Sequence, residues 1–268
     1  MKRALMILFV AGSLLTACKK DQELVYNSTD NVYFDFQGSQ RDSLLYTFAY
    51  EPSRAADTIY LPVRLSGIRS NSSREFILKA EPDSSTALPL IHYKPFEDFY
   101  TIGKDSGVRQ VPLIIYNTDS LLQQRSVTLK FRLYATNDLG VAIPTLIFGK
   151  LVFSSKLERP DWWGMWMGDY YSQVKNQLFI TVTGQTSMTT DGLDAPKNLY
   201  LVSMLTTFLS NPANWIAKNP DKGYVLVKQP DGSYYFYNTA NPAKRTPYRY
   251  DTQAGAWYFI DENGNEVH

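Results

Sequence analysis

Along Val127-Thr128-Leu129-Lys130-Phe131-Arg132-Leu133-Tyr134-Ala135, apolar and largely polar residues alternate one for one. Successive side chains of an extended strand point to opposite sides. Val127, Leu129, Phe131, Leu133 and Ala135 therefore make one core-facing row, while Thr128, Lys130, Arg132 and Tyr134 face away. Ile59, Leu61, Val63 and Leu65 repeat the pattern against Tyr60, Pro62 and Arg64. Similar runs occupy residues 32–36, 44–50, 74–80, 99–102, 109–116 and 146–154. Eight short strands separated by turn-rich segments such as 66–73 and 117–120 predict a two-sheet sandwich over residues 31–156. Pro62 and Pro112 cannot donate to a ladder, so each should sit at an edge or expose its position.

Beyond 156–161, where Pro160 restricts the chain, the character changes. All five tryptophans lie in this second region, three of them as Trp162, Trp163 and Trp166 ahead of Tyr170 and Tyr171. Tyr171, Val174, Leu178 and Val182 follow a near-helical spacing within 168–184, although 179–183 is also readable as strand. Asp194 as N-cap, Pro196 in the first turn and the stripe Leu199, Val202, Leu205, Phe208 and Leu209 predict a second helix that ends at Asn211-Pro212, with a short helix to Lys218. Segments 223–228 and 233–238 flank Pro230-Asp231-Gly232, a hairpin signal. Segments 249–252 and 256–260 flank another turn, and Asn263-Gly264 opens a last one toward Val267. The chain is thus expected to be mainly β: an immunoglobulin-like sandwich over 31–156, then a smaller α+β domain over 157–268 with helices on a terminal antiparallel meander.

At the other end, Lys2 and Arg3 precede an apolar run over 4–15 that is too short to span a bilayer, which needs about 20 residues. Leu15-Thr16-Ala17-Cys18 follows, and Cys18 is the single cysteine of the chain. The arrangement resembles a bacterial lipoprotein signal: a leader over 1–17, acylation at Cys18 and a polar tether over 18–30. The alternative is an ordinary secretory signal with an incidental cysteine. Two or three acyl chains would hold the mature protein on its membrane, where a single chain binds only marginally. Asp21 and Glu23, just after the cysteine, resemble the surface-export signal of Bacteroidota lipoproteins, against the alternative of a plain charged linker. With one cysteine, no disulfide can form within the chain.

The 27 Lys and Arg nearly balance the 26 Asp and Glu, so no basic excess draws the chain to nucleic acid. Its two histidines are His92, inside the first region, and the terminal His268. A histidine-based triad or a zinc site needs several such groups converging, so the reading assigns no metal, no cofactor and no catalytic residue. There is no G-x-S-x-G elbow and no glycine-rich phosphate loop. A carboxylate pair acting on glycosides keeps an undetected hydrolase as the least favoured alternative. His92 reads as a packed or surface imidazole. Aromatic residues carry the remaining clue, since flat rings serve sugars, peptides and protein interfaces alike. Trp257, Tyr258, Tyr235 and Tyr237 are the candidate ligand-binding residues, weighed against core packing. For Trp162, Trp163 and Trp166 the core, or the seam between domains, is the favoured place.

Two resemblances add to this. Ala87, His92-Tyr93, the extended Phe99-Tyr100-Thr101-Ile102, the turn at 105–107 and the long strands at 111–116 and 127–134 resemble an immunoglobulin-like module of the Calx-β kind. Such modules often bind calcium through clustered acidic loops, but Asn117-Thr118-Asp119-Ser120 offers one carboxylate where calcium wants six to eight oxygens, so calcium is not carried over. Asn137-Asp138-Leu139-Gly140, Arg159-Pro160-Asp161-Trp162-Trp163 and the run Gly168-Asp169-Tyr170-Tyr171-Ser172-Gln173-Val174-Lys175 are similar to a family of uncharacterised Bacteroidota lipoproteins, commonly encoded beside TonB-dependent transporters and SusD-like lid lipoproteins. The resemblance implies an outer-membrane, surface-facing lipoprotein that assists uptake of a glycan or peptide nutrient, as accessory to such a transporter complex or as a binder itself. A structural or adhesive spacer is the competing class.

Overall fold

The computed structural model describes residues 29–268. Cys18, Asp21, Glu23 and the leader lie outside the described residues. The alternating segments form strands β1 (Asn31–Phe34), β2 (Leu44–Thr47), β3 (Ala56–Ser66), β4 (Arg74–Ala80), β5 (Tyr100–Ile102), β6 (Val108–Tyr116), β7 (Val127–Tyr134) and β8 (Phe148–Ser154). They lie in two sheets, ordered β1-β3-β6 and β2-β8-β7-β4-β5. The inward rows follow the alternation: Leu61 and Val63 on β3, Val111, Leu113 and Ile115 on β6, and Leu129, Phe131 and Leu133 on β7 are all buried, and they belong to one core with Phe76, Leu78, Leu151 and Phe153; Ala135, expected in the same row, lies past the end of β7 and is exposed. The front half is a β-sandwich.

Both prolines sit where a missing donor does no harm. β6 is an edge strand. The Ile114 carbonyl accepts from Lys94 N–H and Tyr116 N–H donates to the His92 carbonyl, so even-numbered residues of β6 turn away from β3 and Pro112 faces the outer edge. Pro62 is in the central strand of its sheet, but the ladder with β1 ends at Phe34↔Val63, and beyond it only the Pro62 carbonyl is used, accepting from Asp35 N–H at 2.9 Å.

The second region contributes α1 (Trp163–Trp166), α2 (Gln173–Thr183), α3 (Ala195–Ser210) and α4 (Pro212–Lys218), then β9 (Tyr224–Lys228), β10 (Tyr234–Asn238), β11 (Thr246–Asp251), β12 (Ala256–Ile260) and β13 (Glu266–Val267). The strands pair in chain order as one antiparallel meander. α2 starts at Ser172, whose hydroxyl accepts from Lys175 N–H at 2.9 Å, and stops at Gly184 in the left-handed region, φ 70°. Residues 179–183 are therefore helix and not strand. Asp194 occupies the N-cap of α3 without a side-chain cap bond.

The apolar face of α3 keeps four residues of the expected stripe, Leu205 and Phe208 buried and Val202 and Leu209 packed against the second core. Leu201, Leu205 and Phe208 are buried with Asn198, whereas Leu199 is 59% exposed. Phe208 sets this phase by stacking on Phe259 at 5.3 Å and meeting Phe236 edge-on at 5.3 Å. β11 begins three residues before the expected stretch, since pairing with β10 draws Thr246, Pro247 and Tyr248 into the ladder. Trp162 and Trp163 are buried in the second core, with Trp166 packed against it. That core draws a single buried residue, Ala49, from the first 156 residues.

Gly149 lies opposite Phe131 on the neighbouring strand. A Cβ at Gly149 would stand 2.1 Å from Phe131 Cε2, so this strand glycine makes room for the ring. Gly149→Ala is expected to lower stability by about 1–3 kcal/mol, measured as a lower urea midpoint at unchanged slope; an unchanged midpoint would contradict that packing.

Candidate functional site

Alternation along the meander sorts its side chains onto two faces. Phe236, Tyr248 and Phe259 are buried against the helices. Tyr235, Tyr237, Pro247, Arg249, Tyr258 and Ile260 take the opposite, outer face, with Tyr235 paired to Pro247 and Arg249 to Tyr258. The Arg245 guanidinium lies over the Tyr237 and Tyr235 rings, 5.4 and 6.0 Å from their centroids. Three of the four sequence candidates, Tyr235, Tyr237 and Tyr258, thus share one half-buried surface. Trp257 does not join them. It falls on the helix side, stacked on Tyr248 at 5.4 Å and edge-on to Tyr234 at 5.3 Å, because neighbours in a strand cannot share a face.

The outer face runs into a cleft between sandwich and meander. The connection from β10 to β11 reaches across the seam. Asn241, fully buried, donates through Nδ2 to the carbonyls of Pro52 at 3.1 Å and Asn117 at 3.3 Å. Lys244 Nζ donates to the Asp119 carbonyl at 2.8 Å and to Ser155 Oγ at 3.1 Å. A cleft of about 160 Å³ remains beside these contacts, lined among others by Phe48, Asn117, Gln177, Tyr237, Lys244 and Pro247.

The electrostatics follow from burial. Desolvation pushes the Lys244 ammonium down to about 8, against the pull of Asp119. At Asp119 burial opposes ionisation, but Leu121 N–H, the His92 ring and Lys244 outweigh it, and its carboxyl lies below the ordinary value. His92 is buried; its Nδ1 accepts from Leu88 N–H at 2.9 Å, so Nε2 carries the proton toward Asp119 Oδ2 at 2.8 Å. The lone carboxylate of the 117–120 loop is thus engaged within the protein. On the meander side, Glu262 accepts from the free N–H groups of Gln173 and Val174 at the start of α2, at 2.6 and 3.1 Å. Asp261 holds its own turn and accepts from Tyr170 Oη at 2.6 Å.

Among the described residues no three His, Cys, Asp or Glu side chains converge as a metal site would require, and no helix is long and apolar enough to cross a membrane. Sequence patterning singles out none of Asn241, Lys244 and Gln177, and Asn117 only as part of the 117–120 loop. The first two lie in a polar connection whose partners are 89 to 189 residues away in the chain. Nothing local marks them, beyond an Asn-Pro pair inside an otherwise short link.

A family model described as a domain of unknown function (DUF4843) matches residues 26–185, which takes in the sandwich together with α1 and α2. No curated protein matches the chain. Among solved structures, the apo-form Calx CBD1 domain is similar at 9% identity and a TM-score of 0.34, covering 47% of this chain and 99% of that one. A putative carbohydrate binding protein from Bacteroides ovatus gives 16% and 0.35 over 48% of this chain and 38% of its own, and a Bacteroides ovatus protein of unknown function 18% and 0.38 over 46% and 43%. The chain thus spans well under half the length of these two.

Burial of Lys244 has a measurable sign. Its folded value lies below the ordinary lysine value, so between about pH 8 and 10.5 the unfolded chain binds more protons and stability must rise with pH. Relative to Lys244→Met, the wild type is expected to gain about 1.5 kcal/mol from pH 8 to 9.5, read from urea unfolding of both proteins. The difference cancels the tyrosines that titrate above this window. A flat difference would place Lys244 in water.

Proposed function

Since the chain belongs to the DUF4843 family, whose model covers more than half of it and whose description states no activity, we propose from the geometry that it is a binding protein for an oligomeric nutrient, a glycan in particular. In this reading acyl chains on Cys18 hold it at the outer membrane, facing outward, as an accessory of a TonB-dependent uptake complex. The observation that carries the binding role is the continuity of the Tyr235, Tyr237 and Tyr258 surface with the cleft at the seam. Rings on the outer face of the antiparallel sheet can stack on the apolar faces of sugar units, while Arg245 and Arg249 supply donors to hydroxyl oxygens.

Binding is favoured over catalysis for a chemical reason. Ser155 beside Lys244 is the nearest approach to a nucleophile and base, yet Ser155 is buried and its own N–H is bonded to the Leu122 carbonyl, which removes it as an oxyanion donor. The spacer reading draws on a different feature, a sandwich core completed entirely from residues 32–153.

The mature protein is to be screened on a glycan array and titrated with the best hit. Tyr235→Ala and Tyr258→Ala should each weaken binding about 3- to 10-fold, whereas Trp257→Ala should leave affinity alone and lower stability. A flat array with specific peptide capture would replace the glycan by a peptide, and flat results in both would leave the spacer. For the anchor, Cys18→Ala should move the protein from the membrane to the soluble fraction; continued sedimentation with membranes would refute acylation.

A further inference from the structure

We propose that the cleft at the seam is an end pocket, which takes the terminal ring of a neutral sugar chain whose next units lie on the outer face of the meander. This rests on the glycan reading above and adds the position and polarity of the bound chain.

Two residues that line the cleft each carry a buried polar atom with no hydrogen-bond partner among the described residues, Asn117 at Oδ1 and Gln177 at Nε2. Asn117 is 1% exposed and its Nδ2 is engaged with the Arg54 carbonyl at 3.1 Å, so the side-chain oxygen alone is left over. Such atoms are costly to bury and uncommon in folded proteins. One is an acceptor and the other a donor. A hydroxyl group can answer both, because it donates and accepts.

The charges around the cleft balance: Lys244 and Arg245 against Asp261 and Glu262. All four are engaged by protein groups, with Arg245 Nε on the Pro242 carbonyl. Equal numbers of opposite charges give an ionic ligand no net attraction, which argues for a neutral, hydroxyl-rich molecule. Phe48, Tyr237 and Pro247 supply apolar wall. The volume of about 160 Å³ is close to the ~150 Å³ that holds one six-membered ring in an engineered apolar cavity. Room for one ring means that a chain enters by its end, and Tyr237 and Pro247, which belong to both surfaces, lead from the pocket onto the sheet.

The test uses the mature protein and two probe sets. By calorimetry, linear malto-, cello-, xylo- and manno-oligosaccharides are compared with β-cyclodextrin, which has no chain end. By saturation-transfer NMR, glucose, galactose, mannose, xylose and N-acetylglucosamine are offered singly. The proposal predicts at least one linear series bound about tenfold or more above the cyclic sugar, with that preference lost in Gln177→Met. It also predicts a melting temperature for Gln177→Met no lower than wild type, because an unpaired buried donor has been removed. Equal affinity for linear and cyclic sugars, lost on Tyr235→Ala, would overturn the end pocket and keep the sheet surface. A monosaccharide signal lost in Gln177→Met but kept in Tyr235→Ala would keep the pocket without the sheet surface. Binding unaffected by Gln177→Met, or no signal from any probe, would overturn the pocket and leave Asn117 and Gln177 to ordered water.

Discussion

The reach of Asn241 and Lys244 from the meander into the end of the sandwich is the interaction on which the candidate site depends. Each half of the described chain has its own apolar core, and the buried set shared across the boundary amounts to Ala49. Apolar packing therefore accounts for each half, but it says little about how one half is set against the other. Hydrogen bonds from one connection, to the carbonyls of Pro52, Asn117 and Asp119 and to Ser155 Oγ, contribute that orientation. Buried polar contacts of this kind add modestly to stability and more to a unique arrangement. The cleft exists because the connection holds the two surfaces near each other without closing them.

A buried ammonium is costly unless it is well paired. Lys244 meets neutral oxygens directly and the Asp119 carboxylate only at longer range, and its lowered proton affinity measures that cost. Asp119 in turn is braced by His92 and by the Leu121 N–H. The histidine that looked like a packed imidazole in the sequence is thus part of the wall on which the meander rests. Covalent cross-linking plays no part, since the chain has a single cysteine.

The fold was largely legible because a strand buried on one side writes its burial into every second residue. All eight sandwich strands followed the alternating runs, and the turn chemistry of Pro230-Asp231-Gly232 and Asn263-Gly264 marked the meander's corners. Four things were not legible. α1 is a single turn held by the packing of Trp163, too short for a period to show. β2 lies parallel to β8, a pairing between segments about a hundred residues apart that no turn signal records. The site was legible in residue type but not in facing: alternation separates Trp257 from Tyr258, yet which of them meets the helices is decided by the docking of Phe208 on Phe236 and Phe259. The groups of the cleft were invisible, because their relation to one another is created by the seam.

Hydrogen–deuterium exchange of the mature protein, with and without a saturating oligosaccharide, locates the ligand without assuming a residue. A ligand seated on the meander and in the cleft should add protection in 234–247 and 256–260 and leave the sandwich strands unchanged. Protection confined to the sandwich by a ligand that demonstrably binds would contradict that placement.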